Sequence, residues 1–500
     1  MKLRIISLLF ALIMVVGVFA GCNKSTGRQR DDKSGTNDKA YDTEEDRAIK
    51  DYVTDLAEGA NYEGQTFTYL GGQQENFPTK EEETGDIRSD ALFKRQREIE
   101  DTYGLSFENV YDEDGSDSVK DTVINEVMAG GDSYDLVNGY VRSVGRPTLN
   151  AGVLMEMQDL DHIDLDREWW NQSMWDCYSL NGRLFFLLGP ITVHNYLDAH
   201  IVIFNKAVTA MYGIEDADMY DSAREGTWTI DKMFAFASKV PENKSGSGTY
   251  RYDKPGGRAF LYAAGYTITK FDENGDPYVE EKLPREYSDL SDKLVPVFTD
   301  PAQSIFVNDK KKETWDSKYG MGEEEMFDND RALFMFPNTS AVEYMRKFDV
   351  EFGILPMPKL NESQKNYYCL SESYGSGSTG AVYVPKTVRD PEMTGRITES
   401  MAALSQIYVK DAYYEKLLKG QGIFDMESSD MLDIIFASKV YDMADLYCEG
   451  NIDNLGPFIE AIDRNFMFDN SNFSSDYYAN ARIANLNIKL LLKMLENSSK

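Results

Sequence analysis

Two consecutive strand-helix-strand units near the N-terminal end constrain this chain more than any other feature. TFTYLGG (66–72) alternates and then breaks at Gly71-Gly72, the pattern of a strand running into a loop. In SDALFKRQREIEDTYGLSFENV, Ser89 or Asp90 caps a helix that turns Leu92, Ile99 and Tyr103 inward, and Gly104 ends it before a short strand. SVKDTVINEVMAGGDSYDLVNG repeats the grammar: Val119, Val123 and Val127 share a helix face, Gly130-Gly131 stops it, and a strand follows over 134–137. Such alternation predicts an α/β fold with a largely parallel sheet.

The same grammar continues. NGRLFFLLGP reads as a turn and a buried strand at 183–188, and HIVIFNKAV as a strand leading into a helix. In GTWTIDKMFAFASKV, Thr227 or Thr229 caps a helix with Met233, Phe236 and Ala237 inward, and Trp228 fixes its start by packing. FDENGDPYVE sets carboxylates around a glycine, but at the fourth position rather than the sixth that a calcium loop needs, so it predicts a hairpin turn. Residues 49–500 exceed the ~250–300 residues at which one core stops growing, and two domains are expected.

Composition excludes several functions. The chain has 85 acidic against 52 basic residues, a net charge of -33, which leaves no basic footprint for nucleic acid. Its 3 histidines, His162, His194 and His200, show no HExxH pattern, and no CxxC occurs, so no metal site and no cofactor is expected. Besides Cys22 there are Cys177, Cys369 and Cys448, an odd number that argues against a disulfide framework. No nucleophile elbow or phosphate loop is present.

The first residues, MKLRIISLLFALIMVVGVFAGC, have the layout of a secretory signal over 1–21: Lys2 and Arg4, an apolar run, then small residues. The segment resembles the lipobox of bacterial lipoproteins, with Phe19 where leucine is usual, which implies that Cys22 is lipidated and becomes the mature N-terminus. Residues 22–48 are polar and aperiodic and read as a tether, with an amphipathic pattern (Ile49, Val53, Leu56) beginning near its end.

Six segments in order, NGRLFFLLGP, HIVIFNKAV, GTWTIDKMFAFA, MFDNDRALFMF, VEFGILPMPK and GAVYVPKTVRDPE, resemble the extracellular solute-binding proteins of family 1, the carbohydrate-type receptors of ABC importers. The resemblance implies a type II periplasmic-binding-protein fold, two α/β lobes joined by crossing strands near 198–204, 334–338 and 379–383, with a ligand cleft between. It places 60–199 with 337–379 in the first lobe and 200–336 with 380–500 in the second. It also implies a monomer held by lipid at the outer face of the cytoplasmic membrane, partnered by permease subunits and a carbohydrate. The alternatives are a surface carbohydrate-active enzyme and a sensor lipoprotein without transport.

Ligands of open α/β sheets sit beyond the carboxyl ends of strands, so the loop after the first strand offers Gly72, Gln73 and Gln74. In the resembling receptors the loop after the third strand carries aromatic and charged residues, which would make Tyr140 a stacking ring and Arg142 a donor to hydroxyls, unless Arg142 forms a surface ion pair. Asp198 is either an acceptor for sugar hydroxyls or a hinge or surface aspartate. Asn338, Tyr374 with Ser376, and Trp315 complete the expected ring. WWNQSMW holds 3 of the 5 tryptophans. As a helix over 169–178 it would pack Trp170 and Trp175 into the lobe and leave only Trp169 near the cleft rim.

Overall fold

The alternation at the N-terminal end builds a parallel sheet, because each helical crossover returns the chain in its original direction. Helix α1 (Glu44–Leu56) is followed by β1 (Thr66–Gly71), α2 (Ile87–Tyr103), β2 (Ser106–Tyr111), α3 (Ser116–Met128) and β3 (Leu136–Tyr140). β1 pairs in parallel with β2 on one side and β3 on the other. Leu92, Ile99 and Tyr103 of α2 and Val119, Val123 and Val127 of α3 are buried. Gly104 closes α2 in the left-handed region, φ 74°, as expected. The cap is Asp86, whose side chain accepts from Ser89 N. Ser89 and Asp90 are inside the helix, where their side chains instead take amide protons from Thr79 and from Thr84 and Gly85.

A second sheet follows. It contains β4 (Ile201–Asn205), then, past helix α4 (Ile230–Ala237), β5 (Tyr250–Asp253), β8 (Ala332–Met335) and β9 (Phe352–Pro356), in the order β5-β8-β4-β9. Between them β6 (Thr269–Phe271) and β7 (Pro277–Val279) form the hairpin expected of FDENGDPYVE, with Asp272 accepting from the amides of Asn274 and Asp276. Thr229 caps α4, and Trp228 is wholly buried with its indole N–H donated to Pro356 O at 2.9 Å.

The chain then passes through β10 (Cys369–Leu370), β11 (Gly380–Tyr383), α5 (Pro391–Ile407), α6 (Met426–Ala437), β12 (Lys439–Val440) and α7 (Phe473–Ser498). β11 joins the first sheet, antiparallel to β3, with Gly380 opposite Tyr140. The structure, a computed structural model, describes residues 43–80, 82–253, 257–305, 323–345, 347–371, 379–412, 426–444, 462 and 473–498. Glu44–Lys500 forms one unit, and its two sheets are the cores of two lobes.

Strand pairing corrects the expected lobe bounds. β9 belongs to the second lobe, since all five of its residues face β4 in register, from Ile201↔Pro356 to Asn205↔Phe352. β11 and α5 belong to the first lobe: Ser400 and Ser405 of α5 bond Tyr103 and Arg95 of α2. The chain at Asn338 only touches the crossing region, bridging His200, and turns back. The stretch 183–188 is also not a full strand. It makes single antiparallel bridges, Leu180↔Arg183 and Leu187↔Val382, while remaining buried.

The crossing region is a small ladder. β10 pairs in parallel with β12, and Ala199 and His200 run between Ser371 on one side and Asn338 on the other. The segment 439–440 is a member of this hinge that the expected crossings did not include.

Candidate functional site

The first strand ends against the third through a close approach that needs glycine. A Cβ on Gly71 would lie 2.2 Å from Asn138 Nδ2, and Asn138 is wholly buried. Beyond it a short turn, Gln74–Asn76, carries two side chains back over the strand ends. Asn76 Oδ1 accepts from Val193 N at 2.9 Å, and this fixes the amide, because a backbone N–H only donates. Its Nδ2 then reaches Asn138 Oδ1 and His194 Nδ1, each at 3.3 Å. Nδ1 of His194 is therefore an acceptor, and in the neutral ring Nε2 carries the proton. Nε2 faces the Tyr140 hydroxyl at 3.2 Å and Glu75 Oε1 at 3.4 Å.

Tyr140 stands edge-on to the His194 ring, 4.9 Å between centroids. Burial, with the charge of Glu75 second, pushes its phenol up to about 12, so it stays a neutral donor and acceptor. The hydrogen bond from His194 brings Glu75 down to about 2 in spite of partial burial. The strand ends of the first lobe thus offer a carboxylate and a phenol, held through His194 by the buried amide of Asn76, with Arg142 two residues past Tyr140 in the turn Val141–Gly145. This is hydrogen-bonding equipment for a polar ligand. Among the described residues no group of three or more His, Cys, Asp or Glu is set to hold a metal ion.

Gln73, Tyr140 and Arg142 are brought to this end of the sheet. Gln73 is buried, and its backbone carbonyl accepts from Asn76 N at 3.1 Å. Asp198 is a hinge carboxylate and not a surface one. It is wholly buried, with Lys439 Nζ 2.6 Å from Oδ1 and the Ser371 hydroxyl donated to Oδ2, so both oxygens are taken by the protein. Asn338 is likewise committed: its Oδ1 caps the turn at Ser340, accepting from that residue's amide and hydroxyl. Trp315, Tyr374, Ser376 and the lipidation residue Cys22 lie outside the described residues.

The tryptophans correct the helical expectation. The helix is only Met174–Tyr178, and Trp169 and Trp170 precede it in a turn. Both are buried, and their indole N–H groups grip one carboxylate: Trp169 Nε1 to Glu399 Oε1 at 3.0 Å and Trp170 Nε1 to Oε2 at 2.9 Å. Tyr52 of α1 donates to the same group at 3.1 Å. Trp169 is therefore an anchor between α1 and α5 rather than a rim residue, and Trp175, expected inside, is 40% exposed.

Sequence reasoning missed Glu75, Asn76 and His194. The rule that pointed to Gln73 and Gln74 extends to the next two residues of the same loop. Nothing local marks His194, which comes from the hinge side of the chain.

No protein-family model and no curated protein matches this chain by sequence. Among solved structures, a cyclo/maltodextrin-binding protein complexed with maltotetraose is similar over 86% of this chain and 98% of its own, at 13% identity and a TM-score of 0.54. RafE from Streptococcus pneumoniae in its apo form is similar over 85% of this chain and 98% of its own, also at 13% identity, with a TM-score of 0.51. At such identity the likeness is one of architecture: the chain has the two-lobe α/β fold of periplasmic binding proteins.

Proposed function

We propose that this chain is a solute receptor of an ABC importer that captures a neutral sugar or oligosaccharide between its lobes and delivers it to a permease. The observation that carries the reading is the group at the ends of β1 and β3, where Glu75 and Tyr140 meet through His194 at the face from which an open α/β sheet binds ligands. The fold is shared with a protein complexed with maltotetraose. The acidic net charge disfavours strongly anionic solutes. A binding role without turnover fits this group better than hydrolysis, because Glu75 is held ionised by His194 and so lacks the raised pKa of a general acid. Lipid attachment through Cys22 is part of the proposal and rests on the lipobox-like segment ending at that residue.

Titration calorimetry with maltotetraose and raffinose, followed by assay for new reducing ends, tests the reading. Binding without cleavage supports it, and cleavage in proportion to protein would show an enzyme. For the anchor, a palmitate analogue should label the wild type and not Cys22→Ser; equal labelling of both would sink the lipoprotein assignment.

A further inference from the structure

None of Glu75, Tyr140 or His194 lines a cavity of about 360 Å³ whose wall includes the two residues that follow His194. Its walls come from both lobes. Trp169 and Gln406, the latter near the end of α5, belong to the first lobe, and Asp433 and Phe436 of α6 to the second. Asn195 and Tyr196 of the crossing segment lie between them. The rings of Tyr196 and Phe436 meet edge to face at 6.1 Å and so span the joint.

The lining has the chemistry of a polyol site. Aromatic side chains supply C–H contacts for a sugar ring, and the Asn195 and Gln406 side chains each present groups that can both donate and accept. The rim carries exposed Lys410 with the carboxylates of Glu168 and Asp433, and the buried Lys439 ammonium in the wall is neutralised by Asp198. An anionic ligand would find no net partner here. The volume is in the range of small-molecule sites, roughly 300–1,000 Å³.

We infer that this cavity is a second binding site, for a neutral polyhydroxy compound of mono- or disaccharide size, that acts as an effector of capture at the strand ends. α5 is fixed to the first lobe through Tyr103 and Arg95, and α6 to the second through the bond from Ile354 N to Ser428 Oγ. The shape of the cavity therefore depends on how the lobes are set. An occupant binds one setting better than the others and shifts the population toward it. The coupling, though not the site, rests on the capture role proposed above.

The test is calorimetry on the full mature chain with glucose, maltose and raffinose, using Gln406→Trp and the rim variant Asp433→Trp to fill the cavity and Tyr140→Ala to impair the strand ends. Melting curves exclude variants that fail to fold. The expected result is two sites in the wild type. Both filling variants should remove the cavity site and change the Kd of the strand-end site by about fivefold or more, while Tyr140→Ala weakens only the strand-end site. A single site lost in Tyr140→Ala and untouched by filling overturns the cavity inference and leaves the receptor reading standing. A single site lost on filling and untouched by Tyr140→Ala supports the cavity and overturns the strand-end assignment. Two sites without coupling overturn the effector role, and no binding of any of the three sugars overturns the site itself.

Discussion

Lys439 Nζ lies 2.6 Å from Asp198 Oδ1 in the hinge, with the lysine side chain 6% exposed and the aspartate not at all. Burial pulls the ammonium down, but the facing carboxylate and the Tyr441 phenol together more than offset it, and the Lys439 pKa is raised. The pair joins the segment entering the second lobe to the segment leaving α6, and so ties the two lobes at their joint.

Removing one partner strands the other charge in the interior. Lys439→Met is therefore expected to cost about 3–5 kcal/mol, read from urea midpoints, while the double variant Lys439→Met/Asp198→Leu should cost less than the single one. A loss below about 1 kcal/mol in the single variant would mean that the pair behaves as a solvated surface bridge.

Gly71→Ala tests the close approach of β1 to β3. The added Cβ would press on an Asn138 amide whose atoms are engaged with Leu70 O and Asn76. Overpacking of this kind costs about 1–3 kcal/mol. Asn76 is the link from Asn138 to His194, so sugar affinity should fall together with the melting temperature. If affinity is unchanged, the Asn76–His194 link does not position the ligand group.

The first lobe was legible in the sequence because its order is local. Helix faces such as Val119, Val123 and Val127, and the stop at Gly104, are set within a few residues by period and by backbone freedom. Lobe membership after residue 337 was not legible, because it depends on which strand β9 and β11 meet across long separations. The placing of Gln73, Tyr140 and Arg142 at or just past strand ends was legible from local order, whereas the partner of Asp198 lies more than two hundred residues away. The tryptophans misled for a related reason. A helical period assigns faces, but these indoles are held by Glu399, on a helix that the local pattern cannot see.

Glu75 gives the acid side of the stability curve. Its carboxyl titrates near 2 against an ordinary value of 4.5, chiefly through the hydrogen bond from His194. A depressed carboxyl stabilises the fold at pH above its unfolded value, and that contribution is lost as pH falls from about 4.5 toward 2. The wild type should lose melting temperature more steeply than Glu75→Gln between pH 5 and 2. Parallel curves for the two proteins would contradict the His194–Glu75 pairing.

Glu399 gives the opposite slope near neutrality. Burial raises it to about 7, against the pull of the donors from Trp170, Asp164, Tyr52 and Trp169. The unfolded carboxyl ionises near 4.5 and the folded one resists, so this group's contribution is full below about 4.5 and is lost as pH rises to about 7, then levels off. Tryptophan emission should titrate in the same window, since the indoles of Trp169 and Trp170 donate to the two oxygens. Glu399→Gln keeps one acceptor and turns an NH₂ toward an indole N–H, at a cost of about 1–3 kcal/mol for the orphaned donor. It should also flatten both the emission titration and the melting-temperature slope between pH 5 and 8. Wild-type emission that does not change across that interval would show that the carboxylate stays ionised between its tryptophans.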